Sequence, residues 1–532
     1  MSKIGRVSLS SREVTGVICV LLVAAIALAI IVHFEHVPGM AAETEVSKAH
    51  ANDPGKARDL SGEADNDIAI AVGFPNSSTE LEVQRIQGAH FVIRSTQKVS
   101  TGGFYLLLKL TGLIGKTVRL DLRGAPFNQW GTAIPQYSYI ETLDAYKDFE
   151  STTQPSTPYG DEENGPKPRM GDRAALPDTR GQQWHYFSVS TREEDGVSLE
   201  QKFDRDSAYV AYRVPFTPRY NESFISQLEL NRNLDVVHVG KSKGGNDLDL
   251  IKIPAGPIEN AASKPCVLIY AREHPDEQDC SWIAQGAVQF LASDDVAAKA
   301  LCNRCTFLII PLFDPDGAIT ATHQNIIASF DPDNESPESR AYASWFKSWI
   351  DSGNRLDVIL DFHNPPPSAA FHVACPLMEV LDGRLQYCLK LHEQIRNDLM
   401  SAGYNVRNTP WTTGIMSTRL CGWLSESFGA LIQPYEVNSL TPRRQLNLWE
   451  LRQIGKIMAT STVSYLYADS GTKLRASIDG IRAKRLATMK ELAGKALGSD
   501  PIRMEYSLSH NRSDPRIQAP QQIISAPQSV TQ

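Results

Sequence analysis

The sequence predicts an α/β domain with a mixed, largely parallel sheet, preceded by an antiparallel β-sandwich and an N-terminal transmembrane helix. Three observations carry that expectation. After Pro218, strand-like apolar runs alternate with helical stretches, the pattern of a parallel sheet covered by helices. Between Ile68 and Tyr220, strand-like runs succeed one another with turn signals and no long helical period, which fits a sandwich. Val14 to Val32 is nineteen residues without a charge, long enough to cross a bilayer core.

Taken in order, residues 1–34 read as the anchor. Lys3, Arg6 and Arg12 precede the apolar run, so the N-terminus is expected inside and the bulk of the chain outside the cytoplasm. A cleaved signal peptide, giving a secreted chain, is the competing reading. The run is long for such a peptide, and Gly39 and Ala41 make a poor cleavage site, so an uncleaved single-pass anchor is preferred. Residues 35–67, rich in Ala, Glu, Asp and Lys, read as a flexible linker.

Residues 68–218 form the expected β-sandwich accessory region, with strands at Gly103–Leu110, Val118–Leu122, Trp184–Val189 and Tyr209–Val214. The Pro- and acid-rich stretch Ser151–Gln183 is an excursion from it. Residues 219–470 form the α/β domain, with strands at Leu234–Val239, Leu248–Ile253, Cys266–Tyr270, Phe307–Leu312, Leu356–Leu360 and Leu431–Val437. Residues 471–532 are expected to combine a charged helix, Thr472–Leu497, with a polar, disordered tail, Ser507–Gln532.

Composition narrows the function. With 53 Lys and Arg against 61 Asp and Glu, the net charge of −8 offers no basic footprint for nucleic acid. The eight cysteines are scattered and make no disulfide framework. Cys302-Asn303-Arg304-Cys305 reads as structural, a local disulfide if the compartment is oxidising. Gly240-Lys241-Ser242 fails as a phosphate loop, because Asp235 stands where the first glycine is required.

Sites in open α/β sheets gather beyond the carboxyl ends of strands. Three strand ends here carry chemistry. Cys266–Tyr270 delivers His274 and Glu277, three apart and so projecting from one side of a turn. Leu356–Leu360 runs into Asp361-Phe362-His363, and Leu431–Tyr435 ends at Glu436. Two imidazoles and one carboxylate suit a single Zn2+ ion with a fourth position open. Glu436 is then the candidate carboxylate for proton transfer, and Asp361 the candidate to orient a ligating imidazole.

Together these segments resemble the zinc metallocarboxypeptidases, closest to the cytosolic-carboxypeptidase-like branch. Ala271-Arg272-x-His274-Pro275-x-Glu277, followed by Ser281-Trp282, is similar to the family's metal motif. Phe307–Phe313 followed by Asp314-Pro315-Asp316-Gly317 resembles its strand and Asn-Pro-Asp-Gly turn. Asp361-x-His363 resembles the segment carrying the third ligand, and Tyr435-Glu436, seventy-three residues after His363, sits where the family keeps its catalytic Glu. Tyr209–Thr217 looks like the junction between that branch's β-sandwich and its catalytic domain.

The resemblance implies a carboxypeptidase-like fold and a hydrolase that cleaves an amide bond near a peptide terminus. It fails at two substrate-binding positions. Gln324 stands where the branch has an arginine, and Asp331-Pro332-Asp333-Asn334 replaces Asp-x-Asn-Arg. No amide reproduces the bidentate guanidinium fork, so Gln324, Asp333 and Asn334 are expected to change substrate recognition. Arg340, Arg419, Arg443 and Arg444 are the candidates to replace the lost charge. Two alternatives follow: a zinc amidase or deacylase whose substrate lacks a free C-terminal carboxylate, or a binding protein on the same fold.

Overall fold

The computed structural model describes residues 58–59, 68–96 and 106–143 (without 75, 79–80, 125–126 and 128–133), 183–254 (without 232), 264–320, 330, 335–364, 372–376, 383–406 (without 405), 411–413, 419–437 and 446–493. The apolar run Val14–Val32, the linker up to residue 57 and the tail Ser507–Gln532 lie outside these residues.

Two sheets form the first region. One has six strands in the order Arg58–Asp59, Ala69–Val72, Leu107–Thr111, Ser207–Ala211, Gln136–Ser138, Trp184–Tyr186. The other has five, in the order Leu81–Gln87, His90–Ser95, Thr117–Arg123, Gly196–Lys202, Val189–Glu193. Their alternating apolar positions meet in one core: Ile70, Leu108, Leu110 and Val210 from the first sheet, Phe91, Ile93, Leu120, Leu122 and Val197 from the second.

This region departs from the expectation in two ways. His90–Ser95 and Thr117–Arg123 pair in parallel, because the chain passes through the opposing sheet at Leu107–Thr111 between them and so reverses twice. Trp184–Val189 is also not one strand. Trp184–Tyr186 belongs to the six-stranded sheet and Val189–Glu193 to the five-stranded one, with Phe187 buried at the crossing between them.

The α/β region is built on an eight-stranded sheet. Its centre is parallel: Thr306–Ile310, Cys266–Ala271, Val358–His363 and Leu431–Glu436 lie side by side. The first three are buried along their whole length, which is why they read as unbroken apolar runs. Both flanks are mixed. The hairpin of Asp235–Lys241 and Asp247–Ile253 adds antiparallel to Thr306–Ile310. His372–Pro376 adds antiparallel to Leu431–Glu436, and Trp411–Thr413 pairs parallel with it beyond.

Alternate side chains feed two cores, one on each face of the sheet. Val267 and Ile269 join a core that includes Trp282, Ile283 and Val288 of the helix Gln278–Leu291 and Ile454 and Met458 of the helix Leu448–Tyr467. Leu268 and Tyr270 join the opposite core, with Tyr342 and Phe346 of the helix Pro337–Asp351 and Trp423 of the helix Leu420–Phe428.

The helices Gln278–Leu291 and Leu448–Tyr467 cross at two glycines. A Cβ on Gly455 would stand 2.0 Å from the carbonyl oxygen of Ile283, and one on Gly286 2.3 Å from Arg452 Cα. Backbone meets backbone there, so no side chain can yield. Gly455→Ala is expected to destabilise the fold by about 3 kcal/mol, the upper part of the usual overpacking range. A denaturant midpoint equal to that of the wild type would refute it.

Cys302 and Cys305 are free thiols, not the disulfide considered above. Cys302 ends the helix Val296–Cys302 and donates to the Leu291 carbonyl, whereas buried Cys305 donates to the Thr306 carbonyl. The two sulfurs are turned to different neighbours.

Candidate metal centre

The strand Cys266–Ala271 leads into Arg272, whose φ of 71° is left-handed, a strained choice for a residue with a Cβ. The loop that follows closes at Glu277, whose amide donates to the His274 carbonyl at 3.3 Å, and Glu277 is the residue immediately before the helix Gln278–Leu291. On the neighbouring parallel strand, His363 is the last residue, and it lies in register with Glu436 on the strand beyond. Residues in register on adjacent parallel strands project to the same side, roughly 5 Å apart.

Four ligand-type atoms converge. His274 Nδ1 lies 2.8 Å from Glu277 Oε1, His363 Nδ1 lies 2.9 Å from Glu277 Oε2, and the two Nδ1 atoms are 3.2 Å apart. Glu277 and His363 are buried, with His274 partly open. Tetrahedral bonds of 2.0–2.1 Å place neighbouring ligand atoms about 3.3 Å apart. The donor set therefore fits one small N/O-binding cation.

The other side of the His363 ring is occupied by acids. Asp361 Oδ1 stands 3.0 Å and Glu273 Oε2 3.6 Å from Nε2. These acids would hold a proton on Nε2 when Nδ1, which faces Glu277 and His274, binds a cation. Glu273, His274 and His363 also bring one ligand atom each within 4.8 Å of one another. Glu273, however, lies at the Nε2 side of His363 and accepts from Arg419 Nη1 at 3.4 Å, so it balances Arg419 as well as the imidazole.

Charge sets the protonation states. Burial pushes the Glu277 carboxyl up, but the His274 and His363 imidazoles outweigh it and hold the group well below the usual carboxylate range. His363 shows the converse. Burial opposes its charge, yet Asp361 and Glu277 raise its pKa well above the ordinary value. Burial pushes Glu436 up to about 7, with the Glu277 charge adding to the rise and His363 opposing it. Two carboxylates in one pocket thus have opposite shifts.

Of the residues expected from sequence, His274, Glu277, His363, Asp361 and Glu436 come together. Gln324, Asp333, Asn334, Arg443 and Arg444 lie outside the described residues. Arg340 has an exposed side chain and pairs with Glu335 at 2.7 Å. Arg419 reaches the centre through Glu273, with its side chain 29% exposed. Glu273 is the residue that sequence reasoning passed over. Its only signal is a carboxylate beside a ligand-type histidine, which is common on surfaces.

Residues 222–340 match the family model described as zinc carboxypeptidase. That span holds His274 and Glu277. Cytosolic carboxypeptidase 4 of Mus musculus is 29% identical over 202 residues, 34% of this chain and 18% of that protein. Cytosolic carboxypeptidase 1 of Homo sapiens is 30% identical over 131 residues, 22% of this chain and 11% of that protein. The chain thus spans less than a fifth of the length of these curated relatives.

Among solved structures, a metallo-carboxypeptidase from Burkholderia cenocepacia covers 75% of this chain and 99% of its own, with TM-score 0.55 and 18% identity. A metallo-carboxypeptidase from Pseudomonas aeruginosa covers 74% of this chain and 98% of its own, with TM-score 0.54 and 15% identity. At these identities the likeness is one of fold.

One expectation is corrected. The outward-facing, membrane-anchored or secreted placement read from the N-terminus does not stand against relatives named as cytosolic. Among the described residues, no helix is long and apolar enough to cross a membrane. Val14–Val32 lies outside those residues.

Proposed function

We propose, from the premise that this chain belongs to the zinc metallocarboxypeptidase family, that it is a peptidase cleaving an amide bond near a peptide terminus. His274, Glu277 and His363 would hold one zinc ion, and Glu436 would serve as the general base. The observation that carries this reading is the meeting of two Nδ1 atoms and both Glu277 oxygens within 3.2 Å of their neighbours, where the loop after Cys266–Ala271 meets the strand end His363, in register with Glu436. Residues 219–470 are the hydrolase domain in this reading, and 68–218 a β-sandwich accessory domain, supported by the two sheets that share one core.

When bound, the ion supplies Lewis acidity toward water and the scissile carbonyl. The protein's own groups do the rest. Asp361 fixes the tautomer of His363, and Glu277 brings the negative charge that offsets a cation. Glu436 takes a proton from water at its carboxylate and delivers it to the leaving nitrogen. A carboxyl pushed up to about 7 by burial is matched to both halves of that transfer near neutrality.

Arg419 supports an anionic substrate group. Buried Glu273 anchors one of its nitrogens, and the partly exposed guanidinium carries the charge that Gln324 and Asn334 do not. Arg419→Ala is expected to raise KM for a free-acid peptide by about 10–100-fold, the usual value of a charged hydrogen bond, with kcat little changed. A strong preference for C-terminally amidated peptide in the wild type would instead favour the amidase reading. The direct test is zinc content together with a peptide-panel digest. A zinc-loaded chain that cleaves nothing, with or without free C-termini, would leave only the binding-protein reading.

A further inference from the structure

The two residues proposed as ligands on one loop, His274 and Glu277, lie between residues that the first β region grips. Segment 212–217 leaves the strand Ser207–Ala211 and enters the helix Pro218–Leu228, capped by Thr217. Along its length it meets residues on both sides of the ligand pair. Arg213 Nη1 donates to Asp279 Oδ2 in a pair buried on both sides. The Phe216 amide donates to Gln278 Oε1 at 2.6 Å, and the Phe216 carbonyl accepts from Arg272 Nη1 at 3.1 Å. Trp282 Nε1 donates to the Val214 carbonyl at 3.0 Å, with its ring 4.9 Å from that of Phe216.

Arg272 is held twice. While Nη1 reaches Phe216, Nε donates to the Pro275 carbonyl at 2.7 Å, inside the ligand loop itself. Left-handed Arg272 and buried Gln278 therefore bracket His274 and Glu277, and one backbone residue of the β region, Phe216, joins the two brackets. Strained backbone persists only where its surroundings over-determine it. A buried ion pair is weak support for stability, since well-packed apolar groups often serve as well. Geometry is the function left for Arg213 and Asp279.

We propose that Arg213 is a positioning residue for the metal centre: through Asp279, Gln278 and Arg272, segment 212–217 sets the spacing of His274 and Glu277 and so the affinity for zinc. This rests on the reading of His274 and Glu277 as zinc ligands. The segment is also the covalent link between the two regions, so the β region acts on the centre without contributing a ligand.

The test uses the full chain and zinc alone. Arg213→Met with Asp279→Leu removes both charges together and avoids a lone buried charge. Zinc dissociation constants are measured by chelator competition, beside a thermal unfolding scan that confirms folding. The folded double variant is expected to bind zinc about 10–100-fold more weakly, the range for lost groups that orient metal ligands. Should it fail to fold, Gln278→Met and Gln278→Glu decide. The first loses the acceptor for the Phe216 amide and weakens zinc binding; the second keeps an acceptor oxygen and restores it. Undiminished zinc binding in the folded variants, with zinc bound by the wild type, overturns this proposal alone. A wild-type chain that binds no zinc overturns the ligand reading, and this proposal with it.

Discussion

Glu436→Gln is expected to lower kcat by about 10²–10⁴-fold, the usual contribution of a positioned proton-transfer group, while zinc content stays at the wild-type level. The substitution keeps the size and one acceptor oxygen while removing the charge and the carboxylate that takes the proton. Glu436 ends its strand in register with His363, and burial pushes its carboxyl up to about 7, which supports the proposed protonic role over a packing one. The two measurements must be made on one preparation. Near-normal kcat with zinc retained would remove Glu436 from the mechanism. Loss of zinc as well would make it a ligand.

His363→Ala is expected to lose bound zinc on dialysis, and activity with it. His363 is the pivot of the centre. Its Nδ1 faces Glu277 and His274, and its Nε2 faces Asp361 and Glu273. Removing the ring deletes one donor and leaves three buried acids short of a partner, which is costly in itself. Asp361→Asn separates the two effects. It spares every proposed ligand but no longer fixes the Nε2 proton, so zinc should weaken by about 10–100-fold rather than vanish. Metal analysis after dialysis against a graded chelator series distinguishes the outcomes. Equal zinc in His363→Ala and wild type would shift the centre to Glu273, His274 and other donors.

Much of the candidate site was legible because ligand chemistry constrains spacing. His274 and Glu277 share one turn, and His363 and Glu436 each end a strand, so an alternating strand and helix pattern suffices to bring them to one edge. The parallel centre of the sheet was legible for a related reason: Cys266–Ala271 and Val358–His363 are buried on both faces and carry unbroken apolar runs. The flanks were not. His372–Pro376 and Trp411–Thr413 are short strands whose pairing is set by neighbours distant in sequence. The parallel pairing of His90–Ser95 with Thr117–Arg123 depends on which sheet receives Leu107–Thr111, and both sheets accept the same composition.

By itself, then, the sequence determined the α/β core and the residue types that meet at the candidate centre. Each is a local property: periodicity of burial or donor chemistry. Only the tertiary structure decided which nitrogen of His363 faces Glu277 and that Glu273 balances Arg419. It alone also decided that Arg213 and Phe216, more than fifty residues before their partners Gln278, Asp279 and Arg272, hold the loop bearing His274 and Glu277. Orientation and long-range pairing are products of packing, in which each buried polar group must find a partner wherever the fold brings one.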